Sequence, residues 1–230
     1  MAEIETLEKD GTFAAYVAEP QGTARAAVVV IQEIFGVNEG IRRKCDRWAE
    51  KGYLAVAPDL FWRLEPGVEL DPDVPDQFAQ ALALMNRFDQ DQGVADIEAA
   101  IRWARRSLGE GAKVGCVGYC LGGRLAYMTA ARTDIDASVG YYAVGIDGLL
   151  HEKNAIAHPL MLHIAGNDGF VGPEVQARMH EGLGDHPRVT LNDYPGEDHG
   201  FAAELGKRRS EAAARLADER TEAFFAEHLG

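Results

Sequence analysis

A cysteine lies in a glycine-rich segment whose spacing suits a nucleophile. The run Gly118-Tyr-Cys-Leu-Gly122 places Cys120 at the centre of a G-x-C-x-G pattern, after one apolar run and before a helical one. In this pattern the central side chain is held on a strained turn between a buried strand and a helix, above the carboxyl edge of a parallel sheet. Glycines suit the flanking positions because the two backbones come too close there for a Cβ. We therefore interpret Cys120 as a candidate for attack on a carbonyl carbon.

Two other segments could supply the partners of a cysteine nucleophile. Asp168 follows a predicted strand at 160–164, and His199 follows a predicted strand at 189–194. The order along the chain, nucleophile then acid then histidine, is that of the α/β-hydrolases. Because the loops at the carboxyl ends of parallel strands converge, the three side chains can meet at one sheet edge. The sequence therefore predicts a catalytic triad of Cys120, His199 and Asp168.

The remaining histidines, cysteines and serines are weaker candidates. His163 lies within a strand, which is typical of a hydrogen-bonded core histidine, and no two histidines have the spacing of a metal site, so we expect neither metal nor cofactor. Cys45 and Cys116 are expected to be small core residues. None of the three serines has the glycine flanks of the turn pattern, which argues against a serine nucleophile. Surface positions are expected for the other histidines: His151, His158, His180, His186 and His228.

The triad residues need a sheet that holds them, and the periodicity of the chain predicts one. Unbroken apolar runs are typical of strands that are covered on both faces, as in a parallel sheet. Strands are predicted at 4–7, 12–17, 26–31, 53–57, 113–119, 137–142, 160–164 and 189–194. Helices are predicted after a cap at Asn38, across 94–104, over 121–131 and over 210–228. The fold class is therefore α/β, a doubly wound and mainly parallel sheet with helices on both faces, in one domain covering 1–230.

Two details of that prediction concern the chain outside the strands. The final helix should carry one apolar stripe, formed by Ala213, Leu216, Ala217, Phe224 and Phe225. The segment 60–75 holds three prolines and several acidic residues, which favours a long connection that forms a wall of a pocket.

The composition limits the classes of partner. The chain has 230 residues, 47% of them hydrophobic, which is enough for one large core. A net charge of −14 repels nucleic acid and anionic membranes, so we expect neither as a partner. No apolar run is long enough to span a membrane, and no basic segment precedes an apolar stretch near Met1, so we expect a cytoplasmic protein. The three cysteines lack the spacing of a disulfide framework, which fits a reducing compartment.

Several segments together resemble the dienelactone hydrolase (carboxymethylenebutenolidase) family over nearly the whole chain. They are Gln32-Glu-Ile-Phe-Gly-Val-Asn38, Gly118-Tyr-Cys-Leu-Gly-Gly123, Gly140-Tyr-Tyr142, and the surroundings of Asp168 and His199. The resemblance implies a monomeric α/β-hydrolase that opens lactones or small carboxylic esters with the Cys120, His199 and Asp168 triad. It also implies an oxyanion hole made by the backbone N–H groups of Ile34 and Leu121. The resemblance also implies that a glutamate at the position of Glu33 contacts the resting thiol and keeps it unreactive until substrate binds.

The chain departs from the family pattern where substrate is recognised. The family holds a substrate carboxylate with two arginines, and Phe78 and Ala203 stand at those positions here. Without that pair the clamp for a carboxylate is missing. A more apolar pocket for a neutral lactone or ester is therefore expected, with Phe35, Phe78, Tyr141 and Phe201 as candidate walls. Substitute cations could come from Arg63, Arg87 and the run Lys207-Arg-Arg209, although arginines on helix surfaces are more often solvated.

Three other readings stay open at this point. The chain could be a carboxylesterase for neutral esters that lacks dienelactone activity. A cysteine amidohydrolase or peptidase of the flavodoxin-like type also uses a cysteine on such a turn, but those with a His-x-Glu pair would need glutamate where Phe201 stands. A binding protein on a hydrolase scaffold would be expected to lack one member of the triad, and Cys120, His199 and Asp168 are all present.

Overall fold

The computed structural model describes residues 1–109 and 111–230, and one mixed sheet runs through this part of the chain. The strands are β1 Ala2–Glu5, β2 Thr12–Ala18, β3 Ala26–Ile31, β4 Tyr53–Pro58, β5 Val114–Tyr119, β6 Ala137–Tyr141, β7 Leu160–Ala165 and β8 Val189–Tyr194. Their order across the sheet is β1-β2-β4-β3-β5-β6-β7-β8. β1 and β2 pair antiparallel, as does β2 with β4, and the pairs from β4 through β8 are parallel. The predicted fold class is therefore confirmed.

Helices follow most of the parallel strands and cover both faces of the sheet. They are α1 Glu39–Glu50, α2 Pro75–Arg87, α3 Gln90–Leu108, α4 Leu121–Arg132, α5 Pro173–Leu183 and α6 Glu211–Leu229, with a 3₁₀ helix at Ile146–Ala155. The predicted cap of α1 is confirmed, because the Asn38 side chain accepts a hydrogen bond of 3.2 Å from the Ile41 N–H. The sequence prediction did not include α2, α5 or the 3₁₀ helix.

The core lies in two layers because neighbouring residues of a strand point to opposite faces. In β3, Val29 packs in the layer that contains the apolar sides of α3 and α4. Val28 packs in the other layer, with α1 and α6. Every residue of β3, β4 and β5 is buried, as expected for central strands of a parallel sheet.

One predicted detail of α6 is wrong. Leu216 is 43% exposed, so it does not belong to the buried stripe of this helix. The reason is the helical angle: at 100° per residue the buried face is centred on Ala217 and Thr221, and Leu216 falls outside it. Within residues 1–109 and 111–230, no helix is long and apolar enough to cross a membrane.

Candidate active site

Cys120 lies on a strained turn between β5 and α4. Its backbone has φ 57° and ψ −114°, a conformation that residues other than glycine rarely adopt. The turn is fixed from β6, because the Cys120 N–H donates a 3.0 Å hydrogen bond to the Tyr141 carbonyl. The thiol is half-buried, and Cys120 lines the cavity described below. This is the geometry expected of an exposed nucleophile at the carboxyl edge of the sheet.

The glycines around Cys120 are required by close backbone contacts. A Cβ on Gly118 would lie 1.9 Å from the Gly122 carbonyl oxygen. A Cβ on Gly122 would lie 2.5 Å from the carbonyl oxygens of both Ile31 and Gln32. Both distances are far inside van der Waals contact, so α4 could not begin this close to β3 and β5 with larger residues. The steric reason inferred from the sequence is confirmed.

His199 and Asp168 meet beside this turn, each on the loop after its own strand. The two side chains are buried, and His199 Nδ1 lies 2.9 Å from Asp168 Oδ2. The other carboxylate oxygen, Asp168 Oδ1, accepts hydrogen bonds from the N–H groups of Phe170 at 2.7 Å and Val171 at 3.2 Å. Because both oxygens are occupied, the carboxylate is fixed in orientation. It in turn fixes which nitrogen of His199 faces the cavity.

The His199 ring is also held from its sides and its backbone. The ring centroids of Tyr142 and Phe170 lie 5.0 Å and 4.9 Å from that of His199, both edge-on. The Asp198 carboxylate accepts from the N–H groups of Gly169 at 3.1 Å and His199 at 2.7 Å, and so joins the two loops. A ring confined in this way keeps one orientation, as a proton-transferring residue requires.

The electrostatics of the site favour a charged His199. Burial by itself lowers the pKa of His199, but the hydrogen bond to Asp168, the interaction with the Cys120 thiol and the negative charges of both raise it to about 10. A histidine with this pKa is an imidazolium at neutral pH. An imidazolium beside the nucleophile can give its proton to a leaving group.

The predicted oxyanion donors are the backbone N–H groups of Leu121 and Ile34. Leu121 is the first residue of α4, so its N–H has no acceptor within the helix. Ile34 lies on the loop after β3, which is the parallel neighbour of β5, and lines the same cavity as Cys120. The Gln32 side chain accepts a 3.0 Å hydrogen bond from the Leu60 N–H and fixes the beginning of that loop. The structure thus brings the two predicted oxyanion donors to the edge of the sheet where Cys120 lies.

Glu33 lies on the same loop and shares the cavity with Cys120. Burial raises the pKa of its carboxyl group above the ordinary value, although the charge of His199 and the nearby Tyr142 hydroxyl act in the opposite direction. Among the described residues that hydroxyl has no partner aligned for a regular hydrogen bond. Because a carboxyl with a raised pKa is charged less of the time, it opposes a neighbouring thiolate less than an ordinary carboxylate would.

The cavity above Cys120 has a volume of about 690 Å³ and a largely apolar wall. Phe35 and Phe78 line it as predicted, with ring centroids 5.8 Å apart. Pro72 and Pro75 also line it, so the proline-rich connection does form a wall. The full set of apolar side chains is Ile34, Phe35, Pro72, Pro75, Phe78, Leu82, Met85, Val144, Phe170, Ala203 and Leu205.

Two of the predicted wall residues lie elsewhere. Tyr141 is 1% exposed, and its hydroxyl is hydrogen-bonded to Asp218 at 3.0 Å and Thr221 at 2.6 Å on α6. It points to the α6 face because alternate residues of β6 face opposite sides of the sheet. Phe201 is fully buried and packs against Tyr142 and Tyr194 beneath the site. Neither side chain reaches the cavity.

Cations at the mouth of the cavity come from the run 207–209. Lys207 and Arg208 line it, and the Arg208 guanidinium lies 5.6 Å from the Phe170 ring centroid and 3.9 Å from the Asp198 carboxylate. Among the described residues, Arg209 and Arg63 are instead paired away from the cavity wall, with Glu204 and Asp96 respectively. Within those residues no group of three or more His, Cys, Asp or Glu side chains could hold a metal ion.

Several lining residues escaped the sequence prediction. Leu82 and Met85 follow Phe78 at helical spacing on α2, and this spacing was the available signal. Phe170 is 55% exposed, although it contacts the His199 ring. Its only sequence signal was its position two residues after Asp168. Lys207 and Arg208 were among several possible substitute cations in the sequence, and the structure is what places these two at the mouth of the cavity.

Comparisons with known proteins give the family. The family model of the dienelactone hydrolase family matches residues 13–229. A relative from Azospirillum brasilense is 47% identical, over 96% of this chain and 96% of its own. The carboxymethylenebutenolidase of Pseudomonas putida is 41% identical, over 94% of this chain and 91% of its own. A crystal structure from Klebsiella pneumoniae superposes with a TM-score of 0.84 at 29% identity, covering 98% of this chain and 97% of that one. The chain therefore belongs to the dienelactone hydrolase family, and it is a carboxylic ester hydrolase.

Proposed function

We propose that this enzyme hydrolyses lactones or small carboxylic esters through a thioester on Cys120, with His199 and Asp168 as its partners. The observation that carries the proposal is the 2.9 Å contact between His199 and Asp168 beside a cysteine on a strained turn. The attacking thiolate of Cys120 would be paired with the His199 imidazolium, because the pKa of His199 is raised to about 10. A preformed thiolate needs no separate base for the first step.

In the first step the Cys120 thiolate attacks the carbonyl carbon of the substrate. The carbonyl electrons move onto oxygen, and the N–H groups of Ile34 and Leu121 stabilise that oxyanion, a contribution of about 10²- to 10³-fold per donor. Collapse of this intermediate breaks the carbon–oxygen bond, and His199 gives its proton to the leaving oxygen. With a lactone the ring opens and the alcohol stays attached to the acyl group.

The second step uses a change in the pKa of His199. The thiolate is consumed when the thioester forms, so the charge and the hydrogen bond of Cys120 no longer raise that pKa. The imidazole becomes a base near neutral pH and takes a proton from water, which attacks the thioester. Asp168 keeps Nε2 of His199 toward the reaction by holding Nδ1. Collapse of this second tetrahedral intermediate breaks the carbon–sulfur bond, releases the acid and expels the Cys120 thiolate, while the proton taken from water stays on His199, so the ion pair forms again.

The preferred substrate would be neutral. The Phe78 side chain lines the cavity where the family pattern has an arginine, and Ala203 lines it at the second such position. A carboxylate placed against these residues would lose hydration without gaining a hydrogen bond. The cations at the mouth are more exposed, with 47% of the Arg208 side chain and 86% of the Lys207 side chain accessible, so they attract an anion less than a buried pair would.

Hydrolysis of p-nitrophenyl acetate tests the assignment of the nucleophile. We expect the wild-type enzyme to turn it over and the Cys120→Ala variant to lose activity. The matched control is Cys116→Ala, which removes a buried thiol that bonds Ser138 in β6 and leaves the cavity unchanged. Turnover in Cys120→Ala comparable to that in Cys116→Ala would refute the mechanism.

A second measurement tests the charge preference. We would compare kcat/KM for a carboxylate-bearing lactone with that for its neutral methyl ester. The wild-type enzyme should prefer the ester, and Phe78→Arg should shift the ratio toward the acid. Ala79→Arg, which places the same charge on an exposed position of α2, is the control. A strong preference of the wild-type enzyme for the acid would show that the exposed cations suffice.

A further inference from the structure

One wall of the cavity contains an apolar stripe that the catalytic steps do not use. Phe78, Leu82 and Met85 stand at positions i, i+4 and i+7 of α2, so they share one face of the helix. All three are half-buried and line the cavity. The adjacent face of α2 buries Ala81 and Leu84 in the core. The three half-buried side chains pack against the core on one side and line the cavity on the other.

The geometry of the tetrahedral intermediate indicates which part of the substrate would lie in the cavity beside α2. Its carbon has four substituents, of which sulfur is fixed at Cys120 and the oxyanion at the N–H groups of Ile34 and Leu121. The leaving oxygen must lie at His199, which supplies its proton. The acyl substituent takes the remaining direction, into the part of the cavity that none of these groups occupies.

We propose that Phe78, Leu82 and Met85 of α2 form an acyl-binding subsite, and that this enzyme prefers esters whose acyl group is an uncharged chain of several carbons. The inference rests on the proposed function, because it uses the positions assigned to Cys120 and His199. The stripe is continuous with the oxyanion loop, since the Phe78 ring lies 5.8 Å from that of Phe35, next to Ile34. A cavity of about 690 Å³ is much larger than an acetyl group requires.

A series of esters with one leaving group isolates the acyl contribution. We would measure kcat/KM for p-nitrophenyl acetate, butyrate and hexanoate with the wild-type enzyme. Each methylene buried against the stripe should raise kcat/KM by about threefold to fourfold, so hexanoate should exceed acetate by at least about tenfold. A flat or falling series with measurable activity on acetate would overturn the subsite and leave the proposed function standing. Absence of activity on all three esters would overturn both.

A second experiment tests the effect of a charge at the end of the acyl chain of the substrate. The p-nitrophenyl monoester of adipic acid has the same six-carbon chain as the hexanoate but ends in a carboxylate. We expect hexanoate to be the better substrate by about tenfold or more, because the subsite has no donor for the carboxylate among its stripe residues. Equal rates or a preference for the adipate would overturn the inference.

Two variants locate the effect on α2. Leu82→Trp fills the subsite and should lower the ratio of hexanoate to acetate turnover by about tenfold. Ala83→Trp adds the same ring to an exposed position one residue away and should keep the wild-type ratio. Equal ratios in the two variants would contradict the location. If Leu82→Trp does not fold, the chain-length series of the wild-type enzyme still decides the question.

Discussion

His199 Nδ1 and Asp168 Oδ2 lie 2.9 Å apart, and both side chains are buried at the edge of the sheet where Cys120 begins α4. The second oxygen of Asp168 is held by the N–H groups of Phe170 and Val171, so the carboxylate cannot rotate away without losing two hydrogen bonds. The orientation of the imidazole is thus determined by the loop after β7. Any change that reverses the polarity of this contact should therefore impair proton transfer.

Asp168→Asn makes that change. The amide oxygen can still accept from Phe170 and Val171, which would turn the amide nitrogen toward His199 Nδ1. His199 then has to carry its proton on Nε2 and cannot accept one from water there. We expect kcat to fall by about 10²- to 10⁴-fold. Asp193→Asn, an exposed carboxylate paired with His180, is the control, and a kcat equal to that control would contradict the assigned role.

The raised pKa of His199 predicts a pH dependence of stability. The folded-state pKa is about 10 and the ordinary value is 6.5, so the folded protein binds this proton more tightly than the unfolded chain does. The stabilisation is fully present below about pH 6.5 and is lost as the pH rises through about 10. Urea unfolding should give a stability difference between wild type and His199→Gln on the order of a few kcal/mol at pH 6 that shrinks toward pH 10. A difference that grows with pH would contradict this.

The triad residues could be predicted because each of them is marked by its neighbours in the sequence. Glycines on both sides of Cys120 indicate a close approach of two backbones, and Asp168 and His199 each lie on the loop after a strand. A parallel sheet brings such strand ends together whatever the rest of the chain does. Hydrophobic runs likewise predicted the strands, because central strands are apolar on both faces.

The walls of the cavity were less predictable because they depend on tertiary placement. Tyr141 and Phe201 are aromatic and close to the triad in sequence, yet one points to α6 and the other lies beneath the site. Arg208 reaches the cavity from a turn that no short-range pattern places there. The helix α5 was missed because it buries few of its side chains, among them Met179 and Leu183, so its apolar periodicity is weak.

Glu33→Gln should stabilise the protein at neutral pH. Burial raises the pKa of Glu33 above 4.5, so the ionised carboxyl costs free energy in the folded state that it does not cost in the unfolded chain. A neutral glutamine avoids this cost above about pH 4.5, and the two proteins should become equally stable as the pH falls below that value. Thermal unfolding of Glu33→Gln, with the exposed Glu8→Gln as control, measures the effect. A lower melting temperature at pH 7 would argue against it.

Gly122→Ala tests the close approach of α4 to β3. The added Cβ would lie 2.5 Å from two carbonyl oxygens, so the backbones must separate. We expect the free energy of unfolding to fall by about 1–3 kcal/mol, measured by urea titration. Gly148→Ala adds the same atom where no heavy atom lies within 4 Å and should leave stability unchanged or slightly raised. Equal stability of the two variants would contradict the packing argument.

The covalent intermediate on Cys120 is the central claim, and mass spectrometry tests it most directly. Wild-type enzyme and His199→Ala would be quenched in acid during reaction with p-nitrophenyl acetate, digested and mapped by peptide mass. We predict one acetyl group on the peptide that contains Cys120, with more of it in His199→Ala because the base for thioester hydrolysis is missing. Acetyl groups on another residue, or steady hydrolysis while the Cys120 peptide stays unmodified in both proteins, would contradict the account.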